Sequence, residues 1–403
     1  VEPNRLLILA DESANWKIAG LRQLDRLALA INRFAKERSP GGAIDICVFW
    51  KPCIPAEQRW LPGSWRLGSC RFVTDLSLFS LPSGLEPVLS THLFVGRAAL
   101  ADCMIVLQSE HGEASHPDEM QLWEKLDHEL ENACRKRSLA AKDPVACDYL
   151  ADRTEIAGCQ KRFLRSLGKS QDGLVSRFVN RPISRSISRF LLQFPITPSA
   201  WTLSIFPLML LAFLFLLRGH FVIGLALFQI YSILDGCDGE IARAKYLQSE
   251  RGRLLDAWCD VAGNLLLMIG LGFGLEGRYQ FAFYGWLYAL EGSLCALFIG
   301  LNELLLHTSE TESDAGGNGL NAALYSRHRR LVEHSGILFL GEKAVWWLAQ
   351  LTKHDVVTLF FLLLAIIGLS QWILHLSIVV TAASLTITSI ARINIALGRR
   401  RVP

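Results

Sequence analysis

The ten cysteines of this 403-residue chain form no C-x-x-C pair and no Cys/His cluster. That spacing argues against a zinc module and against a disulfide framework, and leaves the cysteines as reduced, structural residues. A large excess of charge of one sign is also lacking. The net charge is +3, and no block of Lys and Arg interleaved with aromatics occurs, so a nucleic-acid partner is not expected. The opening VEPNRLLILA has only a short apolar run, with an acid before it and DES after it, which does not suit a signal peptide. It is read as a first strand, with the soluble half expected to stay on the cytoplasmic side.

What the chain does have is divided unevenly. Up to about residue 195 charged and apolar residues mix as in a globular domain, and from Trp201 onward long apolar runs dominate. In the first half, LLILA and IDICVFW are short buried-strand patterns flanking the amphipathic stretch AGLRQLDRLALAINRFAKE, which is a βαβ signature. HLFVGRA and CMIVLQSE supply later strands, and PDEMQLWEKLDHELENACRKR reads as a helix with acids at its start and bases at its end. Before the apolar half, Arg177, Arg181, Arg185 and Arg189 recur every four residues beside Phe178, Val179, Ile183, Ile187, Phe190 and Leu191. A basic stripe next to an apolar one suits a helix lying in a membrane interface.

Six transmembrane spans are expected, at about 199–217, 220–240, 252–275, 280–306, 355–371 and 373–396. Positive charges in the connection from His307 to Asp355 and in the tail GRRRVP fall on the side of the soluble domain. The positive-inside rule then places that domain and both membrane ends in the cytoplasm. The expected fold is an N-terminal α/β, Rossmann-like domain (1–165), a linker with an interfacial helix (166–196), and an all-α integral-membrane domain (197–403).

Into this membrane half are set the four aspartates of DGCDGEIARAKYLQSERGRLLDAWCD, residues 235–260. Charges at bilayer depth are costly unless paired, so a common reason is needed. Asp235 and Asp238 are three apart and Asp256 and Asp260 four apart, so each pair occupies one helix face, and a turn near Ser249 to Gly252 brings the faces together. Four converging carboxylates call for a hard divalent ion such as Mg²⁺ or Mn²⁺. Gly239 and Gly252 leave room for a bulky ligand, and Arg243 offers a planar fork to a phosphate. Together these describe phosphoryl transfer at a membrane surface. The alternative is a transporter or metal-ion permease that uses the acids for translocation, which would need polar residues continuing toward the far side.

The same window resembles the signature of the CDP-alcohol phosphotransferases, D-x2-D-G-x2-A-R-x8-G-x3-D-x3-D, through Asp235, Asp238, Gly239, Ala242, Arg243, Gly252, Asp256 and Asp260. The resemblance, over about residues 165–400, implies a homodimeric membrane enzyme that moves a substituted phosphate from a CDP-linked donor to an alcohol and releases CMP. It implies that Asp235, Asp238 and Asp256 hold two metal ions, that Asp260 completes the site and acts as base, and that Gly239, Ala242, Arg243 and Gly252 receive the CDP moiety. In the family's P-N-x-x-T motif this chain keeps Pro198 and Thr202, with Ser199 in place of asparagine; Thr202 joins the expected donor pocket.

The domain order is similar to that of bifunctional enzymes in which an inositol-phosphate cytidylyltransferase is fused to a di-myo-inositol-phosphate-phosphate synthase. A triphosphate-binding domain of that kind needs a glycine-rich loop after its first strand. This chain has DESANWKIAG there, so the first domain is read as a nucleotidyltransferase-like fold that has lost triphosphate chemistry. After Asp260 the sequence VAGN stands where the inositol-specific synthases carry Arg-Tyr-Ala-Asp. The acceptor is expected to be an alcohol or polyol phosphate, with Arg329, Arg330, Lys343 and Lys353 as candidate readers of its phosphate. Gly316, Gly317 and Gly319 mark a glycine-rich stretch in the same connection.

Overall fold

The computed structural model describes residues 5–38, 43–63, 66–73, 87–96, 100, 105–106, 118–140, 147–168, 173, 175–279, 284–307 and 353–397. The chain forms two compact units. One comprises residues 1–167 with 192–195 and 244–246, the other 168–191, 196–243 and 247–403.

The first unit is built on β1 (Arg5–Ala10), whose Leu6 to Ala10 are all fully buried, as befits a strand covered on both faces. β2 (Ile44–Trp50) pairs parallel with it, Leu6 opposite Ile46 and Ile8 opposite Val48. β3 (Cys70–Val73) continues that side in parallel. β4 (Pro87–Ser90) joins the other side of β1 in parallel. After β5 (Leu93–Val95), β6 (Ile105–Val106) closes the sheet antiparallel to β4. The order is β3-β2-β1-β4-β6, so the chain reverses direction across the sheet at β1. In such sheets ligands bind at the carboxyl ends of the strands flanking that reversal.

α1 (Gln23–Arg38) connects β1 to β2 and buries Leu24, Leu27, Ala28, Ile31 and Ala35, the face that its apolar spacing predicts. α2 (Glu119–Ala140) buries Trp123, Leu126, Leu130 and Cys134 in the same core, and the Trp123 indole donates to the Phe49 carbonyl at 3.2 Å. β7 (Cys147–Tyr149) pairs antiparallel with β5, and α3 (Ile156–Ser166) ends the unit's main run. The α/β architecture expected from the sequence is therefore present.

The second unit is helical. A π-helical turn at Ser176–Asn180 leads into α4 (Arg181–Leu191). There follow α5 (Pro198–Leu217), α6 (Phe221–Ala244), α7 (Glu250–Arg278), α8 (Trp286–His307), α9 (His354–Ile366) and α10 (Ser370–Ala396). Thr197 caps α5 by accepting the Ala200 N–H, and Pro198 stands at its first turn, where a missing N–H costs nothing. Ser249 caps α7 by accepting the Gly252 N–H at 3.1 Å.

Among the described residues five helices are long and apolar enough to cross a membrane: α5, α6, α7, α8 and α10. The expectation of six spans is not met by these residues. The segment anticipated at 355–371 contains α9, whose 13 residues reach only about 20 Å at ~1.5 Å per residue, short of the ~30 Å hydrocarbon thickness.

Close backbone approach holds α7 to α8. A Cβ on Gly292 would lie 2.6 Å from the Met268 carbonyl oxygen, and one on Gly272 would lie 2.8 Å from the Tyr288 carbonyl oxygen. Small residues at such crossings let membrane helices pack without a hydrophobic drive between them. Gly300, on the same helix as Gly292, has nothing within 4 Å of its would-be Cβ. Gly292→Ala is therefore expected to destabilise the protein by about 1–3 kcal/mol through overpacking. Gly300→Ala should leave thermal unfolding in detergent unchanged or slightly raise it, and equal losses for the two would contradict the packing argument.

Candidate active site

At about 100° per residue, α6 carries two separate polar faces. Tyr231, Asp235, Asp238 and Ala242 fall within a sector of roughly 60°. Gln229, Gly236 and Glu240 fall within another sector, on the far side of the helix. The first face meets α7, and the candidate ligand oxygens of Asp235, Asp238 and Asp256 all lie within 4.8 Å of one another. Asp238 is buried, while Asp235 and Asp256 are half-buried. Asp260, one turn further along α7, is half-buried and does not belong to this group of three.

Asp238 is oriented from α5. The Thr202 hydroxyl sits 2.7 Å from Asp238 Oδ2, closer than its 3.2 Å contact with the Pro198 carbonyl. Thr202, a candidate for the donor pocket, is here a buried partner of an aspartate. Trp201 fixes the same two helices by donating its indole N–H to the Leu234 carbonyl at 2.9 Å.

The small residues of the motif border polar groups. A Cβ on Gly239 would stand 3.0 Å from Arg243 Nη1, so the guanidinium folds back over the Gly239 backbone. A Cβ on Gly252 would meet Ser249 Oγ at 3.1 Å and Ser199 Oγ at 3.6 Å. The first turns of α5 and α7 therefore approach each other at Gly252, bringing two helix N-termini with their positive dipole ends into one neighbourhood. Ala242, Arg243, Gly239 and Gly252 are all half-buried, hence reachable.

The residues present suit a divalent cation. Three carboxylates offer an all-oxygen set of the kind Mg²⁺ and Mn²⁺ prefer, and Asp256 Oδ1 is buried without a hydrogen-bond partner, a costly state that a cation would relieve.

The second polar face of α6 was not anticipated. Arg181 Nη1 pairs with Glu240 Oε1 at 3.1 Å and reaches the Gly236 carbonyl at 3.3 Å, and the Ser184 hydroxyl donates to the same Glu240 oxygen at 2.9 Å. The side chains are 7% and 1% exposed. Above them Gln229 donates to Asn180 Oδ1 at 3.1 Å and accepts from the Thr358 hydroxyl at 2.8 Å, while the Asp355 carboxylate accepts the Ser176 N–H at the start of the π-helical turn. The arginine stripe read from the sequence is thus split: Arg177 and Arg189 are exposed, but Arg181 is buried in an ion pair. The π-helical turn and α4 together turn Asn180, Ser184 and Ser188 inward and Phe178, Val179, Ile183 and Phe190 outward, Phe178 being 72% exposed. The four-residue spacing could not reveal this, because it fixes a face and not the partner that the face meets.

Of the candidate acceptor residues, Lys353 is the half-buried N-cap of α9. Arg329, Arg330 and Lys343 lie outside the described residues, as do Gly316, Gly317 and Gly319.

Residues 196–383, which include the whole constellation, match the family model described as CDP-alcohol phosphatidyltransferase. This chain carries a CDP-alcohol phosphatidyltransferase domain. Similar curated proteins are each called "Bifunctional IPC transferase and DIPP synthase". The one from Rubrobacter xylanophilus is 46% identical over 107 residues, 27% of this chain and 24% of that protein. Those from Thermococcus kodakarensis and Archaeoglobus fulgidus are 36% identical over 118 residues and 43% over 93, covering 28% and 23% of this chain and 27% and 18% of theirs. The aligned segment thus spans about a quarter of the length of these relatives. Family and relatives together indicate a transferase.

In the α/β unit, the carboxyl ends of β1 and β4 are occupied by the chain's own side chains. Asp11 directly follows β1, and Thr91 and His92 follow β4. Asp11 Oδ2 lies 2.8 Å from His92 Nε2, and the Leu150 carbonyl lies 2.6 Å from His92 Nδ1. Both ring nitrogens face acceptors, which suits a doubly protonated ring. Ser13 Oγ and Thr91 Oγ1 bond at 2.6 Å, and Ser90 and Tyr149 both donate to Asp127. Burial works against the His92 charge, yet the hydrogen bond and attraction of Asp11 raise its pKa above the ordinary 6.5. Burial alone would raise Asp11, but its bonds to His92 and Ser13 lower it below 3.8.

Two measurements test these contacts. The raised His92 contributes stability that is complete below pH 6.5 and is lost as pH rises through its folded pKa. The lowered Asp11 contributes stability that is complete above pH 3.8 and is lost on acidification. The pair is therefore at full strength between these values, and the unfolding temperature of the α/β unit should fall above pH 6.5 more steeply in the wild type than in His92→Gln. Parallel pH profiles would refute it. At the other site, Thr202→Val is expected to weaken Mn²⁺ binding about tenfold, as losing a group that orients a ligand commonly does; calorimetric titration with unchanged affinity would count against that role.

Proposed function

We propose that this protein transfers a substituted phosphate from a CDP-linked donor to the hydroxyl of an alcohol acceptor, releasing CMP, and depends on Mg²⁺ or Mn²⁺. The observation that carries the reading is the convergence of Asp235, Asp238 and Asp256 within 4.8 Å, inside a segment that matches the CDP-alcohol phosphatidyltransferase model. Bound there, two such ions would neutralise the phosphate charge that builds up during transfer.

The chain's own groups divide the remaining work. Asp238, held by Thr202, keeps its carboxylate aimed at the cluster. Arg243, folded over Gly239, and the paired helix starts at Gly252 form the side that receives the diphosphate. Asp260, one turn beyond the group of three, completes the ion site from its edge and is the base: it takes the acceptor's proton as the acceptor oxygen forms its bond to phosphorus and the bond to CMP breaks. The names of the similar proteins, together with the domain order, favour a polyol-phosphate acceptor over a lipid alcohol, and VAGN after Asp260 marks an acceptor pocket that departs from that of the inositol-specific synthases. Lys353, Arg329, Arg330 and Lys343 are proposed to read its phosphate.

We propose further that residues 1–165, 166–196 and 197–403 are a nucleotidyltransferase-like domain, a linker with an interfacial helix, and the catalytic membrane domain. The first would make no CDP-product, since Asp11, Glu12 and the His92 network stand where a phosphate cradle would need backbone N–H groups and glycines. The enzyme would act as a homodimer in the cell inner membrane, with the α/β domain and the active site facing the cytoplasm, in keeping with the positive-inside charges.

Purified full-length protein supplied with Mg²⁺ or Mn²⁺ and a panel of CDP-alcohols and acceptors should release CMP with at least one pair. Chelation should abolish the release, and Asp260→Asn should slow it by about 10²-fold or more, as loss of a general base does. Release that persists at the wild-type rate in Asp260→Asn would overturn the assigned role.

A further inference from the structure

One buried polar atom beside the acid cluster has no use in the packing around it. Tyr231 is fully buried among apolar residues of the helical unit, including Phe228 and Leu267, and its hydroxyl has no hydrogen-bond partner. A phenylalanine would fill the same space without stranding an O–H, which is costly away from water. The hydroxyl is also within electrostatic reach of Asp235, Asp260 and Asp256.

Helix geometry says which of these acids it serves. Tyr231 stands one turn before Asp235 on α6, and Asp260 stands one turn after Asp256 on α7. α7 returns after the short connection of residues 245–249. Asp235 and Asp256 meet at one level of this hairpin, so Tyr231 and Asp260 occupy the level one turn deeper, each on the face that carries the motif.

We propose that Tyr231 is a positioning residue for Asp260, its hydroxyl donating a hydrogen bond to an Asp260 carboxylate oxygen when the acid cluster is neutralised by a divalent ion. The bond gives the buried O–H its acceptor and holds one carboxylate oxygen of Asp260, leaving the other aimed at the site. The functional side of this inference rests on the reading of Asp260 as base, whereas the contact itself does not.

The test is a double-mutant cycle on full-length protein in detergent, with Mn²⁺ as the probe and its free signal followed by electron paramagnetic resonance. Tyr231→Phe should weaken Mn²⁺ binding about tenfold in the wild-type background, but by less than about twofold when Asp260→Asn is already present. Its unfolding temperature should be unchanged or higher, because the substitution removes a stranded hydroxyl and keeps the ring. In CMP release, kcat should fall with the donor KM nearly constant. Unchanged Mn²⁺ affinity, an equal loss in both backgrounds, or a lowered unfolding temperature that accounts for the loss would each overturn the proposal. Failure of the wild type to release CMP would sink the base reading alone, since the Mn²⁺ cycle still reports the coupling of the two residues.

Discussion

Carboxylates placed in apolar surroundings must be compensated where they stand, and α6 has to do this for three in six residues. Each receives a different solution. Glu240 is met by Arg181 and Ser184, Asp238 by the Thr202 hydroxyl, and Asp235 shares with Asp238 and Asp256 a cluster that a cation would neutralise. Of these arrangements, only the cluster of Asp235, Asp238 and Asp256 brings like charges together, and only there would a cation improve the arrangement rather than disrupt it. Chemistry and stability are thereby separated by helical phase.

That separation explains why the packing around α6 is polar on its far side. Removing one partner of a buried pair such as Arg181 and Glu240 leaves an uncompensated charge, typically at about 3–5 kcal/mol. Seated in this way, α4 fixes the rotation of α6 about its own axis, and that rotation decides where Asp235 and Asp238 point. Thr202 and Trp201 fix it from another direction. The helix that bears the candidate ligands is clamped by groups that need never meet a substrate.

Much of this was legible in the sequence, and what was not has physical causes. The buried strand LLILA and the apolar face of residues 23–38 follow from periodicity, since both sides of β1 and one side of α1 are covered. The three-residue and four-residue spacings of the aspartates foretold a shared face, and three of the four acids do come together. Spacing could not say that Thr202 would bond an aspartate, because that depends on where α5 crosses α6. Nor could it find Glu240, an acid inside the motif window with no distinguishing neighbour in sequence, whose partner lies 59 residues away. In the span expected at 355–371 hydropathy continues through the turn at Gly368, whose positive φ follows the end of α9, so composition alone does not mark that helix end.

The outward Phe178, Val179, Ile183 and Phe190 of the π-helical turn and α4, set against their inward Asn180, Arg181 and Ser184, make this segment the reverse of a water-soluble amphipathic helix. In sequence it reads as a linker; in the structure residues 168–191 belong to the helical unit. Such a segment cannot serve as a tether that swings free, because detachment would hand its aromatic side chains to water and strand Glu240 at once. Its length and register are thus as constrained as those of any span. A chimera that exchanged the α/β domain while cutting within residues 176–191 would forfeit one wall of the membrane domain, not a spacer.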